Sequence, residues 1–170
     1  MKLRILLPIM VVALVTLACS INVNLFDTDV KTGPTQIETI SVPNLDPIGD
    51  TANVTLSFGA GKLNLAPGAE NALIAGTATF NVDDFRPEVT IDGDEIQVEQ
   101  GNLDLNGVPS FSDDLVNEWD LAIGNAPMAL TINAGAYSGE FELGGLSLRR
   151  LEINDGAAEV GVSFSVRNPV

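Results

Sequence analysis

Histidine is absent from the 170-residue chain, and cysteine, tryptophan and tyrosine occur once each, as Cys19, Trp119 and Tyr137. Without imidazole, neither a Ser-His-Asp nor a Cys-His constellation can be assembled, and histidine ligation of a metal is ruled out. A single cysteine closes no internal disulfide and builds no thiolate cluster, so the core must rest on apolar packing. Positive charge is also scarce, with eight Lys and Arg against 23 Asp and Glu and a net charge of −15. Binding to nucleic acid relies on clustered cations that displace counterions from phosphate, and here the basic residues are scattered. Nucleic acid is therefore excluded as a partner, and no cofactor is implied.

The apolar residues that are present begin with a short run. Lys2 and Arg4 precede a stretch from Ile5 to Leu17, followed by Ala18, Cys19 and Ser20, the order of a secretory signal. Pro8 interrupts the run, which falls short of the roughly 20 apolar residues a membrane-spanning helix needs. Val15-Thr16-Leu17-Ala18-Cys19 resembles the lipobox of bacterial lipoproteins, with small Ala18 before the cysteine and Thr16 where leucine is usual. That resemblance implies a signal over residues 1–18 and acylation of Cys19, which would hold the chain on the outer side of the cell membrane. Thr16 and Ala18 also suit ordinary signal cleavage, which would leave a secreted protein. An uncleaved anchor is the third reading. Removal of the signal takes Lys2 and Arg4 with it, leaving six basic residues against 23 acidic ones, a net charge of −17. Such a surface repels anionic headgroups, so membrane attachment would depend on acyl chains.

Residues 19–50 carry Gly33-Pro34, Pro43 and Pro47 and read as a tether, interrupted by a short edge strand at Ile40 and Val42 that Pro43 ends. From 51 to 170 the apolar residues alternate: Val54, Leu56, Phe58; Leu63, Leu65; Val89, Ile91; Ile96, Val98; Leu103, Leu105. Trp119, Leu121 and Ile123 continue the pattern, then Leu130, Ile132 and Ala134, Phe141 and Leu143, Leu151 and Ile153, and Val160 to Val166. Pro67-Gly68, Asp92-Gly93, Asn106-Gly107, Gly144-Gly145 and Asp155-Gly156 supply turn chemistry. Ser112 to Trp119 predicts at most one helical turn.

Leu130-Thr131-Ile132-Asn133-Ala134-Gly135-Ala136 overlies Leu151-Glu152-Ile153-Asn154-Asp155-Gly156-Ala157, an offset of about 21 residues, within the range of solenoid rungs. Val54 to Ala60 is an earlier copy, so Gly59, Gly135 and Gly156 mark equivalent corners. Stacked rungs approach closely where the chain turns, and a side chain there would clash or require a strained φ. The predicted fold is all-β, a β-solenoid-like stack of short strands with glycine corners. A β-sandwich is the alternative.

The export signal, the strand pair around Gly59-Ala60-Gly61, Trp119-Asp120-Leu121 and the Gly-Ala corners together resemble the toast-rack domains, from roughly Glu38 to Val170. Those domains occur in bacterial envelope proteins, including regulators of the cell-wall-active-antibiotic response, and in relatives named "putative adhesin". The resemblance implies a non-enzymatic extracytoplasmic domain for envelope scaffolding, sensing or adhesion, with an envelope protein or glycan as partner. Family members usually continue through more rungs, so the last strand here is expected either to be followed by others or to serve as an interface for self-association.

Candidate chemistry is confined to carboxylates. Asp83-Asp84, Asp92, Asp94 and Asp113-Asp114 are of the type a glycan hydrolase would use, the alternative function, but solvated turns explain them as well. Asp92, Asp94 and Glu95 are the candidate calcium ligands, short of a full ligand set and also readable as a hairpin reversal. Trp119 alternates with Leu121 and Ile123 as a core residue. Tyr137 stands where the matching corner has Ala158 and is expected at an exposed rung edge, a candidate surface contact.

Overall fold

The computed structural model of the chain describes residues 28–44, 51–101, 109–110 and 114–169. The export signal with Cys19, the expected strand at Leu103 and Leu105, the Asn106-Gly107 turn, Ser112 and Asp113 lie outside the described residues. The strands are β1 (Thr28–Asp29), β2 (Gln36–Pro43), β3 (Ala52–Pro67), β4 (Ala72–Phe80), β5 (Pro87–Asp92), β6 (Glu95–Gln100), β7 (Pro109–Ser110), β8 (Asn117–Ile123), β9 (Met128–Glu142) and β10 (Leu148–Ser163). A 3-10 turn at Asp83–Phe85 is the one helical element among the described residues. Its position differs from the helical turn expected after Ser112, where Asn117 and Trp119 instead extend as β8. β1 and β7 pair in parallel as a small unit by themselves.

Three long strands organise the rest. β3, β9 and β10 stack in parallel, Val54 beside Leu130 and Leu130 beside Leu151, so the repeat read in the sequence is the observed register. The strands are longer than expected, because each runs unbroken through its glycine corner. Phe58, Ala134 and Asp155 align before the corner and Ala60, Ala136 and Ala157 after it. Each corner re-phases the alternation, as an extra residue in a strand does. Leu130 and Ile132 point inward ahead of the corner on β9, and Tyr137 and Phe141 beyond it.

The bend divides β3 between two faces. Its first arm pairs with β6, which pairs with β5 as a hairpin; its second arm pairs with β8, followed by β4 and β2. The core fills the space between the arms, with Leu56, Leu63, Ile74, Trp119 and Phe141 among its fully buried side chains. As in a sandwich, two faces enclose this core, but here three strands belong to both faces. The far edges also meet: Arg86, just before β5, pairs with Glu38 on β2 and lies over the Phe80 ring, and Gln36 donates to Asp83.

β2 is an edge strand ended at Pro43, but it is no part of a tether. Ile40 and Val42 are completely buried, so the folded domain begins ahead of Gln36 rather than at 51. Asp155-Gly156 is likewise no reversal, since β10 passes through it with no positive φ at Gly156. At the β5–β6 hairpin, by contrast, Gly93 adopts φ +63°, as the first position of a II′ turn requires.

Space, rather than φ, fixes two of the three corner glycines. A Cβ on Gly135 would collide with the carbonyl oxygen of Gly59, and one on Gly156 would sit 2.9 Å from that of Gly135. A Cβ on Gly59 would meet only the Gln100 side-chain amide, at 3.0 Å, which can swing aside. Gly135→Ala is therefore expected to cost about 3 kcal/mol, and Gly59→Ala about 1 kcal/mol or less, the scale of a disturbed hydrogen bond. Urea unfolding of both variants measures the difference, and equal costs would refute the close-approach explanation.

Candidate functional site

On the second arm the residues that point away from the core form rows across the strands. Glu140, Asn64, Asp120 and Thr77 lie side by side on β9, β3, β8 and β4. The neighbouring Ala66, Ala122 and Ala75 are small, and Gly76 can carry no side chain because a Cβ would strike the Asp120 carbonyl. Short side chains beside long acidic ones produce an open concavity of about 510 Å³, floored by Ala66, Gly76 and Ala122 and rimmed by Asp120, Glu140 and Glu142.

The carboxylates of this face are largely engaged. Asn64 Nδ2 donates to Asp120 Oδ1 at 2.7 Å, and Lys62 Nζ lies 2.7 Å from Glu118 Oε1, a contact that raises the lysine pKa. Glu142 accepts from the backbone N–H groups of Ser165 at 3.0 Å and Gly144 at 2.7 Å, and from the Ser163 hydroxyl at 2.9 Å. Those donors, the Ser165 amide foremost, hold its carboxyl below the ordinary value of 4.5. A general acid working near neutral pH needs the opposite displacement. Glu142 instead ties the chain after β10 to the β9–β10 turn.

The acids named from sequence do not converge. Asp83 and Asp84 sit on the 3-10 turn and Asp92 and Asp94 at the hairpin tip. The six residues of β5 between them span about 20 Å at the rise of a strand, well beyond the roughly 5–10 Å between glycosidase carboxylates. Asp114 is exposed ahead of β8. Asp94 and Glu95 accept from Asn53 Nδ2, at 3.4 and 2.8 Å, which bonds β3 to the hairpin. Among the described residues no three His, Cys, Asp or Glu side chains come close enough to hold a metal ion, the Asp92, Asp94 and Glu95 set included.

Tyr137 requires correction. It is 6% exposed, because the corner at Gly135-Ala136 shifts the alternation and turns position 137 into the core. Its ring lies 6.1 Å from Phe58 at 75° and 6.2 Å from Phe141 at 20°, while Phe58 packs edge-on to Trp119 at 5.2 Å. Four of the nine aromatic residues thus gather behind the corner. The Tyr137 hydroxyl reaches the next rung, donating to Asp155 Oδ1 at 2.7 Å. The signal in the sequence was Asp155 itself, an acid in the inward series of Leu151 and Ile153. Trp119 is fully buried, as its alternation implies.

The second notable surface is the outer edge of β10. No strand pairs with it among the described residues, and Leu151, Ile153 and Val160 are only half-buried. Val162, Phe164 and Val166 are 44, 52 and 58% exposed. The residues of the concavity escaped sequence reasoning. Glu140 and Glu142 alternate visibly, but only the register of β9, β3 and β8 brings them beside Asp120.

The family model described as the N-terminal domain of toast_rack matches residues 31–168. No curated protein matches the sequence. Among solved structures, a "putative cell adhesion protein" from Clostridium sporogenes is similar with a TM-score of 0.69 and 21% identity. The match covers 80% of this chain and 64% of that one, so this chain spans less than two thirds of its relative's length. A "putative adhesin" from Parabacteroides distasonis gives a TM-score of 0.37 at 11% identity, over 79% of this chain and 59% of that one.

Burial and the Asp155 contact push the Tyr137 phenol well above its ordinary 10.0. The stability carried by the neutral phenol is complete below pH 10 and is lost as the pH rises beyond it. Ultraviolet titration of this single tyrosine is expected to show phenolate only together with unfolding, and a free-tyrosine curve would contradict its burial. For Glu142 the sign is reversed, so its contribution holds above about pH 4.5 and disappears as acid protonates it. Glu142→Gln is expected to lower Tm at pH 7, with the gap to the native chain closing in strong acid.

Proposed function

The chain belongs to the toast-rack family, and on that footing we propose that it is a non-enzymatic, extracytoplasmic lipoprotein that adheres to or scaffolds components of the bacterial envelope. The observation that carries this reading is the outer face of the second arm, whose carboxylates serve as hydrogen-bond acceptors between strands around an open concavity. Such a face suits contact spread over several strands. Its acidity favours a partner presenting cations, such as a basic segment of another envelope protein, over an anionic polymer. The cell-adhesion name of the Clostridium sporogenes relative supports the adhesive part of the proposal, and the lipobox-like sequence supports attachment at Cys19.

Three of the six basic residues beyond the signal are paired with acids, Lys62 with Glu118, Arg86 with Glu38 and Arg150 with Glu152. The unpaired acidic surplus leaves an acyl anchor as the means of holding this domain at an anionic membrane. Cells fed a palmitate analogue are expected to label the native chain and to leave Cys19→Ser unlabelled and released. Normal labelling of that variant rejects acylation at Cys19. For the binding face, Asp120→Asn combined with Glu140→Gln in the anchored chain is expected to reduce salt-sensitive retention of envelope proteins several-fold. Unchanged retention removes this face as the contact, and loss of a neutral glycan instead identifies a glycan partner.

A further inference from the structure

Outward from β3 the two arms are unequal. The second arm continues through β8, β4 and β2, whereas the first continues through β6 and ends at β5 among the described residues. β2 therefore has no counterpart, and the first arm is one strand short. The edge this leaves lies on the far side of the domain from β10 and is made by residues well inside the sequence. The Gly101 N–H donates to the Arg86 carbonyl at 3.0 Å, which sets the phase of the ladder. Glu88, Thr90 and Asp92 then bond toward β6, and Val89 and Ile91 turn their N–H and C=O groups to the open side.

The side chains of the same two residues mark the missing neighbour. Val89 and Ile91 lie in the inward row, directly opposite Val98 and Ile96 of β6. Val98 and Ile96 are fully buried, yet Val89 is 40% and Ile91 42% exposed. In the outward row the charges conflict, with Glu88 opposite Glu99 and Asp92 opposite Glu95, and no Lys or Arg occurs from Pro87 to Gln100. Like charges directly across a ladder destabilise it. A short charged edge discourages nonspecific pairing, but that role calls for no half-open apolar pair in the inward row.

We propose that β5 is a docking edge for an extended segment of another protein in which apolar and basic residues alternate. Apolar residues of the added strand cover Val89 and Ile91 from the inward side, and its basic residues lie beside Glu88 and Asp92. The edge supplies the N–H groups of Val89 and Ile91 and the carbonyls of Pro87, Val89 and Ile91 as backbone partners. Pro87 has no N–H, and Arg86 before it pairs with Glu38 of β2, so the segment docks from Val89 toward the hairpin tip. Charge decides the occupant. A second copy, as acidic as the first, adds to the conflict along the outward row, whereas a basic strand relieves it. This edge is separate from the concavity of the second arm, and either contact can hold alone.

The test titrates a dye-labelled hexapeptide of alternating valine and lysine with the detergent-solubilised full chain and reads fluorescence anisotropy. Binding is expected to be at least about fivefold tighter than for a hexapeptide of the same composition with its valines and lysines in two blocks, which carries the same charge. Val89→Pro deletes an N–H that β6 does not use and is expected to remove that preference. Glu88→Gln with Asp92→Asn is expected to weaken the alternating peptide at least about threefold, and Asp120→Asn with Glu140→Gln to leave the preference intact. Equal binding of the two peptides, or a preference that survives Val89→Pro, overturns the proposal. Loss of the preference in the Asp120 and Glu140 variant assigns the peptide to the concavity and overturns it as well. Amide exchange read by NMR in the native chain does not rely on a variant that folds. With the alternating peptide bound, Val89 and Ile91 are expected to exchange at least about tenfold more slowly. Slow exchange before any peptide is added assigns the edge to another stretch of this chain, or to a second copy if it depends on protein concentration, and either result overturns the proposal.

Discussion

Backbone passes over backbone at the corner of each rung, and that approach sets the terms for the rest of the domain. With Gly59, Gly135 and Gly156 in one column, β3, β9 and β10 can bend together and keep their ladders on both sides of the bend. Because they bend together, two faces share three continuous strands, and the inward residues of both arms meet in a single core. The aromatic cluster of Trp119, Phe58, Tyr137 and Phe141 fills the inside of that angle. Asn117 closes its first rung, donating to the Ala60 carbonyl and to Gln100 Oε1, while Gln100 accepts from the Gly59 amide.

Acidity in this protein is used as mortar between strands. Asp120 takes the Asn64 amide, Glu95 the Asn53 amide and Asp155 the Tyr137 hydroxyl, each a bond from one strand to its neighbour. Exposed ion pairs of the kind made by Lys62 or Arg150 stabilise little, because water and salt screen them. Neutral donors do most of the joining, so a chain with few cations can still satisfy many carboxylates. Asp83, Asp94 and Glu95, acids singled out in the sequence, are acceptors in such joints.

The stacking was legible in the sequence because stacked rungs repeat. Leu130 to Ala136 laid over Leu151 to Ala157 gave the pairing of β9 with β10 residue for residue, and the copy at Val54 gave β3. Less legible was the change of phase at each corner. Strict alternation carried through Gly135 points Tyr137 outward, whereas the inserted corner residue turns it inward. β5, β6 and β8 were recognisable as alternating runs, but β4 was not read as a strand, and β2 looked like part of a tether because Ile40 and Val42 are its only strongly apolar pair, whose burial depends on β4, a distant partner. The outer concavity was invisible for the same reason, since Asn64, Asp120 and Glu140 become neighbours only through pairing.

The fork in β3 also dictates an order of events. Val54 finds Ile96 of β6 on one side but waits for Leu130 on the other, and the second arm of β3 waits for Trp119. Parallel pairings between distant segments are slow to close because chain entropy must be lost before the contacts compensate. A chain emerging N-terminus first therefore holds the second arm of its earliest long strand without a neighbour until β8 has followed. In that interval β3 depends on chaperones or on speed to avoid pairing with the wrong strand.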